Sequence, residues 1–86
     1  MHDIIGELAL KVIIESNDVL ETKEILNTLE SSIENITRTK LFARLNNLRG
    51  EGLIKGKFVG PGKGVWIWWE KDAFSESKNI KGGKNG

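Results

Sequence analysis

The hydrophobic pattern of this chain changes period once, at Gly50-Glu51-Gly52. Before that point apolar residues recur every three or four positions, as on one face of a helix. After it they alternate, as along a strand. A chain written this way folds as helices first and a small sheet second, the α+β class. Its 86 residues leave room for one such unit. A domain of this size buries somewhat more than ~60% of its unfolded surface, which allows one modest core and no deep substrate cavity.

Asp3 is placed to cap a first helix running to about Ser16, with Ile4, Ile5, Leu8, Ala9, Val12 and Ile13 on one face. Ser16-Asn17-Asp18 breaks that pattern. A second helix begins near Thr22, whose hydroxyl can accept a bond from a free N–H of the first turn; Ile25, Leu26 and Leu29 form its inner face. Glu30-Ser31-Ser32 reads equally as its last turn or as a connection, with Ile33 and Ile36 anchoring the loop. The third helix opens at Thr37 as N-cap, and Leu41, Leu45 and Leu48 follow within about 60° of one another. Its opposite side holds Thr39, Ala43, Asn46 and Asn47, with Lys40 and Arg44 on one flank and Phe42 on the other. Gly50 and Gly52 end it, and Gly50 suits the left-handed C-cap.

A two-stranded hairpin follows, from Leu53 to Val59 and from Val65 to Trp69 around the turn Gly60 to Gly64. Val65, Ile67 and Trp69 share one face of the second strand, Trp66 and Trp68 the other. Trp69 is expected to seal the core beside Phe58 or Phe42. For Trp66 and Trp68 three readings stand open: packing under the first helix or the tail, a homodimer seam, or a stacking platform for single-stranded nucleic acid. The expected domain covers residues 1–74, and the polar Gly/Lys-rich segment 75–86 is expected to be disordered.

Several chemistries are excluded by composition. There is no Cys, and the single His is at position 2, so thiolate metal sites, Cys nucleophiles and most His-based catalysis are absent. The turn GPGKG lacks the Ser or Thr that follows Lys in a phosphate-binding loop. No apolar run approaches the ~20 residues that span a bilayer, and no basic stretch precedes the first apolar residues as in a secretory signal. Asn35-Ile36-Thr37 matches a glycosylation sequon, which carries no weight without such a signal. The expectation is a cytoplasmic binding domain, not an enzyme, with no cofactor, no metal, no membrane partner and no small-molecule ligand.

The charge is sharply divided. Residues 1–36 hold two basic and eight acidic side chains, a net of −6, whereas residues 37–86 hold eleven basic and four acidic, a net of +7. Between Thr37 and Trp69 only Glu51 is acidic, against Arg38, Lys40, Arg44, Arg49, Lys55, Lys57 and Lys63. Such a division suits a cationic surface for a polyanion, mounted on a scaffold whose other side is acidic.

The order helix, helix, basic third helix, Gly, hairpin resembles the winged helix-turn-helix superfamily. The resemblance is carried by Thr22-Lys23-Glu24-Ile25-Leu26, by the run from Thr37 to Leu48, and by the junction Arg49-Gly50-Glu51-Gly52-Leu53-Ile54, and it covers roughly Asp3 to Glu70. Two features depart from it: the segment Glu30 to Ile36 is longer than the tight turn of the simplest members, and the wing is unusually rich in tryptophan. The resemblance implies sequence-specific binding of double-stranded DNA, and with it transcriptional regulation. The third helix would then offer Thr39, Asn46 and Asn47 to base edges and Ala43 to a thymine methyl, with Arg38, Lys40 and Arg44 reaching guanine or phosphate. Lys55, Lys57 and Lys63 of the wing would lie along the backbone or enter the minor groove. Asn46 and Asn47 also read as ordinary solvated helix residues. A homodimer through the hairpin tryptophan face (Trp66, Trp68) or the first helix is a further expectation. The rival reading is a protein-interaction winged helix, or a replication or plasmid-maintenance accessory, using the tryptophan-rich hairpin.

Overall fold

The structure, a computed structural model, describes residues 3–72; the expected tail lies outside them. Helix α1 (Ile4–Ser16) is followed by strand β1 (Leu20–Glu21), helices α2 (Thr22–Leu29) and α3 (Arg38–Gly50), and strands β2 (Ile54–Val59) and β3 (Val65–Glu70). The strands form one antiparallel sheet in the order β1-β3-β2. The expected two-stranded wing therefore gains a short third strand, with Leu20 opposite Trp68 and Glu21 opposite Ile67.

Each helix starts where a side chain satisfies the free N–H groups of its first turn. Asp3 caps α1 by accepting the Gly6 N–H at 3.2 Å. Thr37 caps α3 by accepting the Lys40 N–H at 3.1 Å. Helix α2 starts at Thr22 as expected, but its cap differs: Glu21 is the N-cap, and its backbone N–H donates to Glu24 Oε1 at 2.7 Å. Thr22 is turned inward instead, where its hydroxyl accepts the indole N–H of Trp68 at 2.8 Å in the interior.

The end of α3 also differs in detail. Gly50 is still helical, and the left-handed residue is Gly52, at φ +80°. Leu53 N–H bonds Leu48 O and Gly52 N–H bonds Arg49 O, both at 3.0 Å, the paired bonds of a Schellman C-cap. This turn sends the chain directly into β2.

The core joins Ala9 and Ile13 of α1, Ile25 and Leu29 of α2, and Leu41, Leu45 and Leu48 of α3 with Ile54 and Trp68 of the sheet. Trp68 is wholly buried and is among the largest side chains so enclosed. Trp69 does not seal the core. Side chains alternate along a strand, and the register pairs Ile54 with Glu70, Gly56 with Trp68 and Phe58 with Trp66. These residues face the helices, while Lys55, Lys57, Ile67 and Trp69 occupy the outer face. Of the three readings of the indoles, intramolecular packing describes Trp68, which meets Phe42 edge-on at 5.9 Å and bonds Thr22. A buried Trp68 cannot serve as a dimer seam.

Gly56 makes that placement sterically possible. A Cβ there would lie 2.6 Å from both Cε3 and Cζ3 of Trp68. Gly56→Ala is expected to cost about 1–3 kcal/mol by overpacking, read as a lower urea midpoint. An unchanged midpoint would contradict the tight approach of strand and indole.

Candidate nucleic-acid interface

Burial of Leu41, Leu45 and Leu48 turns the opposite side of α3 outward. Thr39, Ala43 and Asn47 are exposed there and Asn46 is partly so. Small and amide side chains on this face allow the helix backbone to approach a flat or grooved surface closely, with Asn46 supplying a donor and an acceptor.

The two flanks of α3 have different surroundings. On one, Arg44 Nε donates to Asp3 Oδ1 at 3.0 Å, the same carboxylate oxygen that caps α1. Arg44 and Asn47 line a groove of about 310 Å³ between α1 and α3 that also holds Asp3, Glu7 and Glu51. Both residues expected to meet nucleic acid thus stand beside carboxylates, in a setting that repels phosphate. The Arg44–Asp3 pair is solvent-exposed, so it adds only ~0.2–1 kcal/mol of stability, but it directs the guanidinium towards α1. Lys40 Nζ donates to the Asn35 carbonyl at 3.3 Å, at the N-terminal end of α3.

The other flank faces the wing. Arg38 and Thr39 of α3 and Lys63 of the wing turn border one cleft of about 410 Å³, whose walls include Phe42, Phe58 and Trp66. Among the described residues, neither Arg38 nor Lys63 has a side-chain hydrogen bond or ion pair. Both cations are therefore available to an incoming anion. Lys55 and Lys57 are not in this cleft. They lie across the β2 edge with Arg49 and Lys71, around a second depression of about 610 Å³.

The sequence-derived candidates accordingly divide into three groups, with Lys40 apart from them on the Asn35 carbonyl: Arg38, Thr39 and Lys63 at the helix–wing cleft, with Ala43 and Asn46 continuing along the outward face; Lys55 and Lys57 at the sheet edge; and Arg44 and Asn47 beside the acidic end of α1. Two further contributors, Arg49 and Phe58, were not among them. Arg49 lies 5.3 Å from the centroid of the Trp66 ring, a cation–π distance. Its spacing of seven from Phe42 already places it on the wing flank of α3. Phe58 sits opposite Trp66 in the hairpin, a pairing that follows from counting outward from the turn.

Three helices, the third with an exposed polar face, followed by a hairpin that packs back on them, define the winged helix-turn-helix fold. The chain has that fold. No protein-family model and no curated protein matches the sequence. Solved structures that share the architecture include the following two. One, of the DNA recognition and protein interaction domains of HOP2, superposes with a TM-score of 0.64 at 21% identity, over 77% of this chain and 97% of that one. The other, a PadR family transcription regulator from hypervirulent Clostridium difficile, gives 0.65 at 15% identity, over 95% of this chain and 86% of its own.

Proposed function

We propose that this chain binds double-stranded DNA with α3 in the major groove and the wing on the adjoining backbone, and that it acts in transcriptional regulation. The observation that carries the reading is the pairing of Arg38 with Lys63 across one cleft, beside an outward helix face bearing Thr39, Ala43 and Asn46. Cations from two elements give affinity and register, while the amide and methyl groups between them give sequence preference. The solved relatives of the fold add support, since one is a transcription regulator and the other includes a DNA recognition domain. In this reading the protein is a cytoplasmic binding module without catalytic activity or a small-molecule effector. Among the described residues no helix is long and apolar enough to cross a membrane, and no group of three or more His, Cys, Asp or Glu could hold a metal ion.

The test is duplex selection from a random pool, followed by anisotropy titration of the enriched sequence and a shuffled control. The enriched duplex should bind more tightly. Asn46→Ala should remove about 1–3 kcal/mol of discrimination at the base pair it reads while leaving the shuffled duplex unaffected. No enrichment above the starting pool would refute sequence-specific binding.

An oligomeric interface belongs on α1 in this reading, because Ile4 and Ile14 are 47% and 44% exposed there whereas Trp68 is enclosed. A symmetric dimer would set its two recognition helices about one turn, ~34 Å, apart on the duplex. Sedimentation of the free protein checks it. The protein-interaction reading draws on the outer sheet face, where Val59 and Val65 are exposed; it requires association that persists where duplex binding is absent.

A further inference from the structure

The cleft between α3 and the wing contains more than a duplex backbone needs. Phosphates and sugars are held by cations and hydrogen-bond donors, and Arg38, Thr39 and Lys63 supply these at its border. Its interior is aromatic. Phe58 is 50% exposed. It is also held firmly in place: its ring lies over Gly64, where a Cβ would overlap Phe58 Cζ, and it packs edge-on against Trp66 at 6.0 Å. Phe42 in turn meets Trp66 edge-on at 5.9 Å, and Trp66 stacks on Trp68 at 5.3 Å. The exposed ring is thus fixed to the core through a chain of ring contacts, and it cannot collapse inward to shed its contact with water.

A planar group bearing an adjacent anion matches these surroundings. Every nucleobase has a π-face that stacks on an aromatic side chain without regard to sequence, and the strand that carries it is anionic. Within a duplex the bases are already stacked on one another, so the ligand is a base that has left the helix. We infer that the helix–wing cleft takes an unpaired nucleobase of a strand extending from the bound duplex. The base stacks on Phe58, and Arg38 and Lys63 hold the phosphates on either side. The cleft volume of about 410 Å³ falls within the range of sites that hold one small organic group. The inference rests on the duplex-binding reading, and it makes the protein a binder of junctions between double and single strands.

The experiment compares one labelled duplex in three forms: blunt, with a short dT overhang, and with an abasic overhang of equal length and charge. Anisotropy titrations at one salt concentration should show the dT overhang bound about tenfold more tightly than the abasic one, the gain expected of a single stacked base. Phe58→Ala should remove that advantage, leaving the variant's affinities for the dT and abasic overhangs within about twofold of each other. Phe58→Tyr should keep it. Equal affinity for the dT and abasic overhangs, or an advantage that survives Phe58→Ala, overturns the inference. Blunt binding without an overhang advantage leaves the duplex reading standing alone. An advantage that depends on Phe58 without blunt binding keeps the cleft assignment and removes the duplex reading.

Discussion

Trp68→Ala is expected to lose about 3–5 kcal/mol of stability, the range for removing a large buried aromatic side chain. Three consequences of its position add together. Its indole is fully enclosed and belongs to the core cluster that joins all three helices to the sheet. Its ring fills the space that Gly56 leaves open on the facing strand. Its N–H is the donor to the buried Thr22 hydroxyl, which would be left unsatisfied. A domain of this size has only some 4–13 kcal/mol in hand at ~0.05–0.15 kcal/mol per residue, so the substitution should remove a large share of the total and lower the unfolding midpoint sharply. Urea denaturation followed by circular dichroism measures the loss. Trp68→Phe helps to separate the hydrogen bond from the packing, since it keeps much of the apolar volume while removing the donor. Its cost should fall when Thr22→Val is added, because replacing both partners of a buried hydrogen bond is far milder than orphaning one. A Trp68→Ala protein with the wild-type urea midpoint would show that the indole is not the centre of the core.

The helices and the hairpin were legible because their signals are local. Asp3 and Thr37 are caps with short polar side chains immediately before periodic apolar runs, and both serve as read. The two-residue β1 is too short to show any alternation. Helix α2 begins at Thr22 as the pattern indicates, but its cap is Glu21: threonine is a favoured cap and glutamate is not, yet burial against Trp68 outweighs that preference for Thr22. The facing of β3 could have been settled from the sequence. Its own residues are apolar on both sides, so alternation within it decides nothing, but the opposing strand alternates Ile54, Gly56 and Phe58 with Lys55 and Lys57. Lysines do not line a core, and the glycine opposite Trp68 gives the indole its room. The site was less legible. The Arg44–Asp3 contact joins residues 41 positions apart, and no local pattern announces it.

Duplex affinity should fall steeply with salt, and the slope should depend on which cation is removed. Each phosphate neutralised by Lys or Arg releases condensed counterions, giving a log–log slope near −0.9 per contact. For about five contacts the slope is near −4.5, a loss of roughly five-hundredfold between 50 and 200 mM salt. Arg38 and Lys63 face the same cleft without partners among the described residues, and Lys40 stands at the N-terminal end of the same helix. Replacing all three by Ala should flatten the slope by about 2.7 and weaken every duplex alike. Arg44→Ala removes the same unit of charge as any one of these. Because its guanidinium already engages Asp3 and borders Glu7 and Glu51, the slope should stay within error of wild type. If net charge alone governed binding, Arg44→Ala and Arg38→Ala would flatten the slope equally. A difference between them would place the phosphate path on the wing side of α3, where Arg38 and Lys63 border one cleft.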